Sequence, residues 1–131
     1  MDTPGPATAY HSPEMSNAYE RMLAGSSVQR SWLTLPTGRV HLLTEGSGPT
    51  VVMLHPTGNP AGYFLPLLNE LDGVRVIAPD RPSVGLSDPM PLPWRSYRET
   101  VVTWIDGLLD ALGLDDAVML GHSGGGLCAL W

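Results

Sequence analysis

The stretch from Val118 to Gly126, VMLGHSGGG, permits few backbones. The apolar run over 117–120 reads as a short buried strand, and the apolar residues after Gly126 read as the start of a helix. Gly121, Ser123 and Gly125 then fit the spacing G-x-S-x-G at a strand-to-helix junction. The spacing has a steric cause. A serine on so sharp a bend is held in a strained conformation that lifts its hydroxyl out of the sheet. Strand and helix pass close together two residues to either side, where a side chain at Gly121 or Gly125 would collide. The helix begins beside the serine, and its first N–H groups have no intrahelical acceptor. The Gly124 amide is therefore free to meet a negatively charged oxygen.

Two other uses of glycine after a strand are weaker. Gly124-x-Gly126-x-x-Ala129 fits the dinucleotide pattern G-x-G-x-x-A. That pattern belongs to the first strand of its fold and needs an acidic residue about 20 positions on; here several strand and helix units precede it and no such residue follows. A phosphate loop needs a lysine, and the chain has none. A glycine-rich turn selected for packing alone leaves the serine unexplained.

Upstream, residues 1–13 are rich in Pro, Gly, Ala and Thr with no apolar period, and read as a disordered tail. Residues 14–26 read as a short helix and linker, with Tyr19 and Met22 on one side and Gly25 ending the helix. The period then changes to two. Segments 31–35 and 39–45 read as a hairpin across Pro36-Thr37-Gly38. Residues 50–56 form a nearly continuous apolar run, as in a strand covered on both faces. A short helix over 63–71, a strand over 74–80, a Pro/Gly/Ser-rich loop and a long helix follow. Ser96 and Glu99 suggest a capping box for that helix, and Gly113 its stop. Strands alternating with helices predict a mostly parallel sheet with helices on both faces, so 27–131 reads as one α/β unit.

The composition narrows the partners. The net charge is −6, and every basic residue apart from histidine is an arginine. An acidic chain without a basic run argues against nucleic acid and anionic membranes. No apolar run approaches the length of a membrane span, and the N-terminus lacks the pattern of a secretory signal, so a cytoplasmic protein is expected. The single Cys128 reads as a small buried residue, and the four histidines show no metal-ligand spacing. Neither a metal nor another cofactor is expected.

Three segments in order, VVMLHPTG, VIAPDRPSVGLSD and VMLGHSGGG, make the chain resemble the N-terminal half of an α/β-hydrolase-fold protein of the serine type. The resemblance covers roughly 28–131. It implies that the strand ending at His55 leads into an oxyanion loop, supported by His55 and Gly58, in which the Thr57 N–H is a donor. It also implies that this strand lies beside the one before Ser123, so that Thr57 and Gly124 converge across a crevice at the carboxyl ends of the strands. Gly121, His122 and Gly125 would support the elbow. Pro56 stands where the family has glycine; it cannot donate, but the implied donor is the next residue. Ser83 stands where the pattern Asp-x-Pro-Gly-x-Gly-x-Ser has its first glycine. A serine nucleophile disfavours relatives such as haloalkane dehalogenases and epoxide hydrolases, which use an aspartate there.

A serine needs a base, and in this fold the acid and the histidine follow the nucleophile. After Ser123 the chain offers only Gly, Leu, Cys, Ala and Trp. His122 is sent elsewhere by the turn, His55 is better used to hold its loop, and His41 and His11 are poorly placed. Asp80 and Asp88 read as turn formers, and Asp106 and Asp110 as solvated helix residues. The expectation is a hydrolase for a small-molecule ester, thioester, amide or activated C–C bond, truncated after its elbow and inactive alone. The alternative is a non-catalytic binding or assembly module that associates through its open strand at 117–121.

Overall fold

A computed structural model describes residues 12–131. Residues 1–11, most of the expected tail and including His11, lie outside the described residues. Helix α1 spans Pro13–Leu23, capped by Ser12, whose Oγ accepts the Met15 N–H at 3.1 Å. Ser12 and Pro13 therefore belong to the helix rather than to the tail.

Five strands form one sheet in the order β1-β2-β4-β3-β5. The hairpin is β1, Gln29–Leu35, against β2, Gly38–Gly46. Strand β2 runs antiparallel to β4, Arg75–Pro79. Strand β3, Thr50–Leu54, runs parallel to β4 on one side and to β5, Val118–Gly121, on the other. The strand before Thr57 thus lies beside the strand before Ser123, as the resemblance implies.

Alternation along the strands divides the core between the two faces of the sheet. Leu42, Val52, Leu54 and Ile77 face Val101, Trp104, Ile105 and Leu108 of helix α3, Tyr97–Leu112, and Cys128 of helix α4, Gly124–Leu130. Leu43, Met53, Val76 and Ala78 face Tyr19 of α1 and Ala61, Phe64 and Leu68. The central strands are buried on both faces, which is why their sequences read as apolar runs rather than alternating ones. Among the described residues no helix is long and apolar enough to cross a membrane.

Three local expectations need correction. The segment expected to be a helix over 63–71 is a 3-10 turn, Ala61–Phe64, running into one turn of helix α2, Leu65–Leu68. The strand expected over 50–56 ends at Leu54; His55 and Pro56 already belong to the loop, where Pro56 has no N–H for a sheet. Ser96 and Glu99 form no capping box. Ser96 closes a 3-10 turn over Trp94–Ser96, has φ −124° and ψ 26°, and makes no side-chain cap. Its carbonyl instead accepts the Thr100 Oγ hydrogen bond at 2.7 Å. Gly113 does end α3 in the left-handed conformation.

Candidate active site

Ser123 sits between β5 and α4 with φ 53° and ψ −121°. Only two described non-glycine residues have positive φ, and this is one of them. The flanking glycines explain how the bend closes. A Cβ on Gly121 would strike the Gly125 carbonyl oxygen, and a Cβ on Gly125 would strike the Leu54 carbonyl oxygen and lie 2.5 Å from that of His55. The end of β3 and the start of α4 therefore touch backbone to backbone. The elbow is further held by the His122 N–H donating to Leu54 O at 3.2 Å and the Gly125 N–H donating to His122 O at 3.0 Å. The Ser123 side chain is exposed.

Thr57 lies in the loop after β3, against the elbow. A Cβ on Gly124 would collide with Thr57 Oγ1 and lie 3.5 Å from Thr57 Cβ and from Arg81 Nη1. Neither the Thr57 N–H nor the Gly124 N–H donates to a protein acceptor among the described residues. Gly58 has φ 85° with open space around it, so a turn conformation, not crowding, calls for glycine there.

His55 is fully buried under this loop. Its Nδ1–H donates to Pro56 O at 2.9 Å, and its Nε2 accepts the Arg81 backbone N–H at 2.8 Å. A ring nitrogen that accepts from an amide carries no proton, so His55 is neutral. Burial, with the Arg81 charge, also lowers its pKa below the ordinary 6.5, against opposing contributions from Pro56 O and Asp80. A depressed histidine pKa gives stability that is complete above 6.5 and is lost as pH falls through the folded value. His122 is exposed and turned to Tyr63: its Nδ1 is 3.1 Å from the Tyr63 hydroxyl, and the two rings stack with centroids 5.5 Å apart.

A second polar centre, which no single sequence motif marks, surrounds Asp80. Asp80, expected to form a turn, is buried. It accepts from Tyr19 OH at 2.5 Å, His41 Nδ1 at 2.9 Å, Ala61 N at 2.7 Å and Leu86 N at 2.9 Å. Arg30 Nε donates to His41 Nε2 at 3.3 Å. This cluster joins α1, the hairpin and the loops after β3 and β4. Asp88 pairs with Arg39 at 3.4 Å, whereas Asp106 and Asp110 are exposed on α3. Cys128 is buried, and burial raises its thiol pKa.

Arg81 is specified by no sequence motif but borders the elbow. Its Nη1 donates to His55 O at 3.0 Å and its Nη2 to Tyr97 OH at 3.2 Å. With His55, Thr57, Tyr97, Trp104 and Cys128 it lines a cavity of about 220 Å³ beside the elbow. No group of three or more potential metal ligands occurs among the described residues.

Ser83 is the other residue with positive φ, at 63°. Its Oγ accepts the Met90 N–H at 3.0 Å and donates to Met90 O at 3.3 Å, clamping the loop after β4. Ser83→Gly relieves roughly 1 kcal/mol of backbone strain and loses hydrogen bonding of similar size, so its stability should stay within about 0.5 kcal/mol of the parent. Ser83→Ala keeps the strain and loses the clamp, and should be about 1 kcal/mol less stable. Urea unfolding of the two variants checks the order.

A family model described as the alpha/beta hydrolase family matches residues 51–131. Among curated proteins, the chain is 39% identical over 98 residues to a pimeloyl-(acyl-carrier protein) methyl ester esterase of Shewanella sp. (strain MR-7), covering 73% of the chain and 34% of that protein. It is 37% identical over 98 residues to a 2-hydroxy-6-oxo-6-phenylhexa-2,4-dienoate hydrolase of Burkholderia cepacia, covering 70% and 34%. An epoxide hydrolase 2 of Siraitia grosvenorii is 36% identical over 95 residues, covering 69% and 29%. The chain thus spans about a third of the length of these relatives. Among solved structures, a naproxen esterase from Bacillus subtilis superposes with a TM-score of 0.82 at 21% identity, covering 95% of the chain and 45% of that structure.

Proposed function

Because the chain belongs to the alpha/beta hydrolase family, we propose that Ser123 is the nucleophile of a serine hydrolase acting on an ester, thioester, amide or activated C–C bond. The observation that carries this reading is the strained, exposed Ser123, with Thr57 packed against the adjoining Gly124 and neither the Thr57 nor the Gly124 amide donating to a protein acceptor among the described residues. Ser123 Oγ attacks the acyl carbonyl carbon, and the two amides receive the oxygen as it becomes negative. Losing one such donor typically slows turnover by about 10²–10³. A serine at this position favours acyl chemistry over the epoxide opening named for one group of relatives. The substrate is a small-molecule acyl compound, and the setting is cytoplasmic.

The attack also needs a proton acceptor. His55 has both ring nitrogens engaged, His122 is turned to Tyr63, and His41 is buried against Asp80. None of these three histidines is placed to take the Ser123 proton, so among the described residues the nucleophile has no base, and we infer that the 131-residue stretch alone is catalytically silent. Loss of a whole triad costs about 10⁶ in turnover.

An activated phosphonate ester tests both statements. It should label the 131-residue chain slowly, with the adduct on Ser123 and none in Ser123→Ala. Labelling that survives Ser123→Ala would sink the nucleophile. Labelling at the speed of an intact serine hydrolase would sink the silence.

A second reading, an assembly module, is favoured by one observation: β5 is an edge strand and its Val118 is 60% exposed. A concentration-dependent dimer on sizing chromatography, abolished by Val118→Lys, would support it.

A further inference from the structure

We propose that the cavity beside the elbow is a subsite for a carboxylate carried on a short acyl chain, with Arg81 as its counter-charge. The proposal rests on Ser123 accepting the acyl group. The cavity, about 220 Å³, is enclosed by the loops after β3 and β4 and by α3. That is smaller than the roughly 300–1,000 Å³ typical of drug-sized ligands, and suits a short chain. Its walls are largely apolar, including Leu54, Val101 and Trp104, and Arg81 is the one charged side chain among the described residues lining it.

The guanidinium is half-buried and tied at two points, to His55 O and to Tyr97 OH. These bonds fix its plane. Both acceptors are neutral, and the guanidinium's other N–H donors find no protein acceptor among the described residues. A partly desolvated guanidinium with no carboxylate bonded to it gains from an anion that fills its remaining donors. Joining a loop to a helix needs only a neutral donor, so the tie does not account for the charge. A carboxylate matches the guanidinium fork.

The placement also limits chain length. Arg81 Nη1 lies 3.5 Å from where a Cβ on Gly124 would sit, next to the amide proposed to hold the oxyanion. A carboxylate paired with Arg81 is therefore only a few bonds from the reacting carbonyl, as in a succinyl or glutaryl ester. A neutral chain of equal length would gain the apolar walls but leave the cation unpaired, which provides discrimination.

The test is binding to the full 131-residue chain carrying Ser123→Ala, followed through the Trp104 indole N–H resonance. Monomethyl succinate is the anionic probe and dimethyl succinate the neutral one. The anion should bind at least about tenfold more tightly, a difference of about 1.4 kcal/mol. The preference should vanish in Arg81→Gln and survive in part in Arg81→Lys. Tyr97→Phe, which keeps the charge and removes one tie, should retain the preference even if Arg81→Gln proves unfolded. Equal binding of the two probes, no saturable shift at Trp104, or loss of preference in Tyr97→Phe and Arg81→Lys as complete as in Arg81→Gln would overturn the subsite. An intact preference without phosphonate labelling of Ser123 would reject the nucleophile and leave the anion site standing. Labelling without preference would reject the subsite alone.

Discussion

Gly125→Ala should destabilise the chain by about 3 kcal/mol or more and lower the melting temperature by roughly 10 °C. The added carbon would meet the Leu54 carbonyl oxygen and lie 2.5 Å from both the Leu54 carbonyl carbon and the His55 oxygen. All three are backbone atoms, so no side-chain rotation relieves the overlap. The end of β3 would have to separate from α4, opening the contact on which the bend at Ser123 depends. Gly107 provides the contrast. It also lies in a helix, but nothing is within 4 Å of the position its Cβ would take. Gly107→Ala should therefore gain about 0.5–1 kcal/mol from helix propensity. Thermal and urea unfolding of the two variants measure opposite signs for the same chemical change. A mild effect at Gly125 would mean that strand and helix are not in backbone contact.

Asp80→Ala should destabilise by about 4 kcal/mol, as when one partner is removed from a buried charged cluster. It would leave the Tyr19 hydroxyl, the His41 Nδ1–H and the Ala61 and Leu86 amides without their acceptor. Asp80→Asn keeps the shape but offers an NH₂ to donors, so it should recover only part of the loss. The carboxylate also predicts a pH dependence. Burial alone would raise its pKa, but hydrogen bonds from His41, Tyr19 and the Ala61 amide outweigh burial and hold it below the ordinary 3.8. A folded value below the unfolded one gives stability that is present above about 3.8 and lost as pH falls through the folded value. The parent should therefore lose its advantage over Asp80→Asn as pH drops below about 4. An advantage that persists unchanged into stronger acid would contradict this assignment.

Much of the fold is legible in the chain because apolar periodicity and glycine placement are local signals. The hairpin around Pro36-Thr37-Gly38, the apolar runs of β3 and β4, the stripe of α3 and its stop at Gly113 all follow from such signals. The bend at Ser123 is likewise written in the two glycines whose missing side chains let strand and helix touch. Long-range partners are a different matter. An aspartate that opens a turn and one that collects four donors share the same neighbours in sequence. Asp80 meets His41 across 39 positions and Tyr19 across 61. Arg81 next to it resembles any loop arginine until β3 and α3 place His55 O and Tyr97 OH around it. Ser96 failed in another way: Ser-x-x-Glu specifies side chains that can cap, but Ser96 follows a 3-10 turn, and its carbonyl rather than its Oγ makes the bond.

The tyrosine on α1 has a kinetic consequence. An 11-residue helix is marginal in water alone. Its anchor is assembled from later segments: Asp80 from the end of β4, held by His41 of the hairpin, with the Gly62 amide donating to the Tyr19 hydroxyl at 3.4 Å. The helix therefore has its anchor only where these later segments are in place. Its amide protons should exchange with deuterium at least as fast as those of Ala61 and Leu86, so that α1 lets go no later than the segments that anchor it.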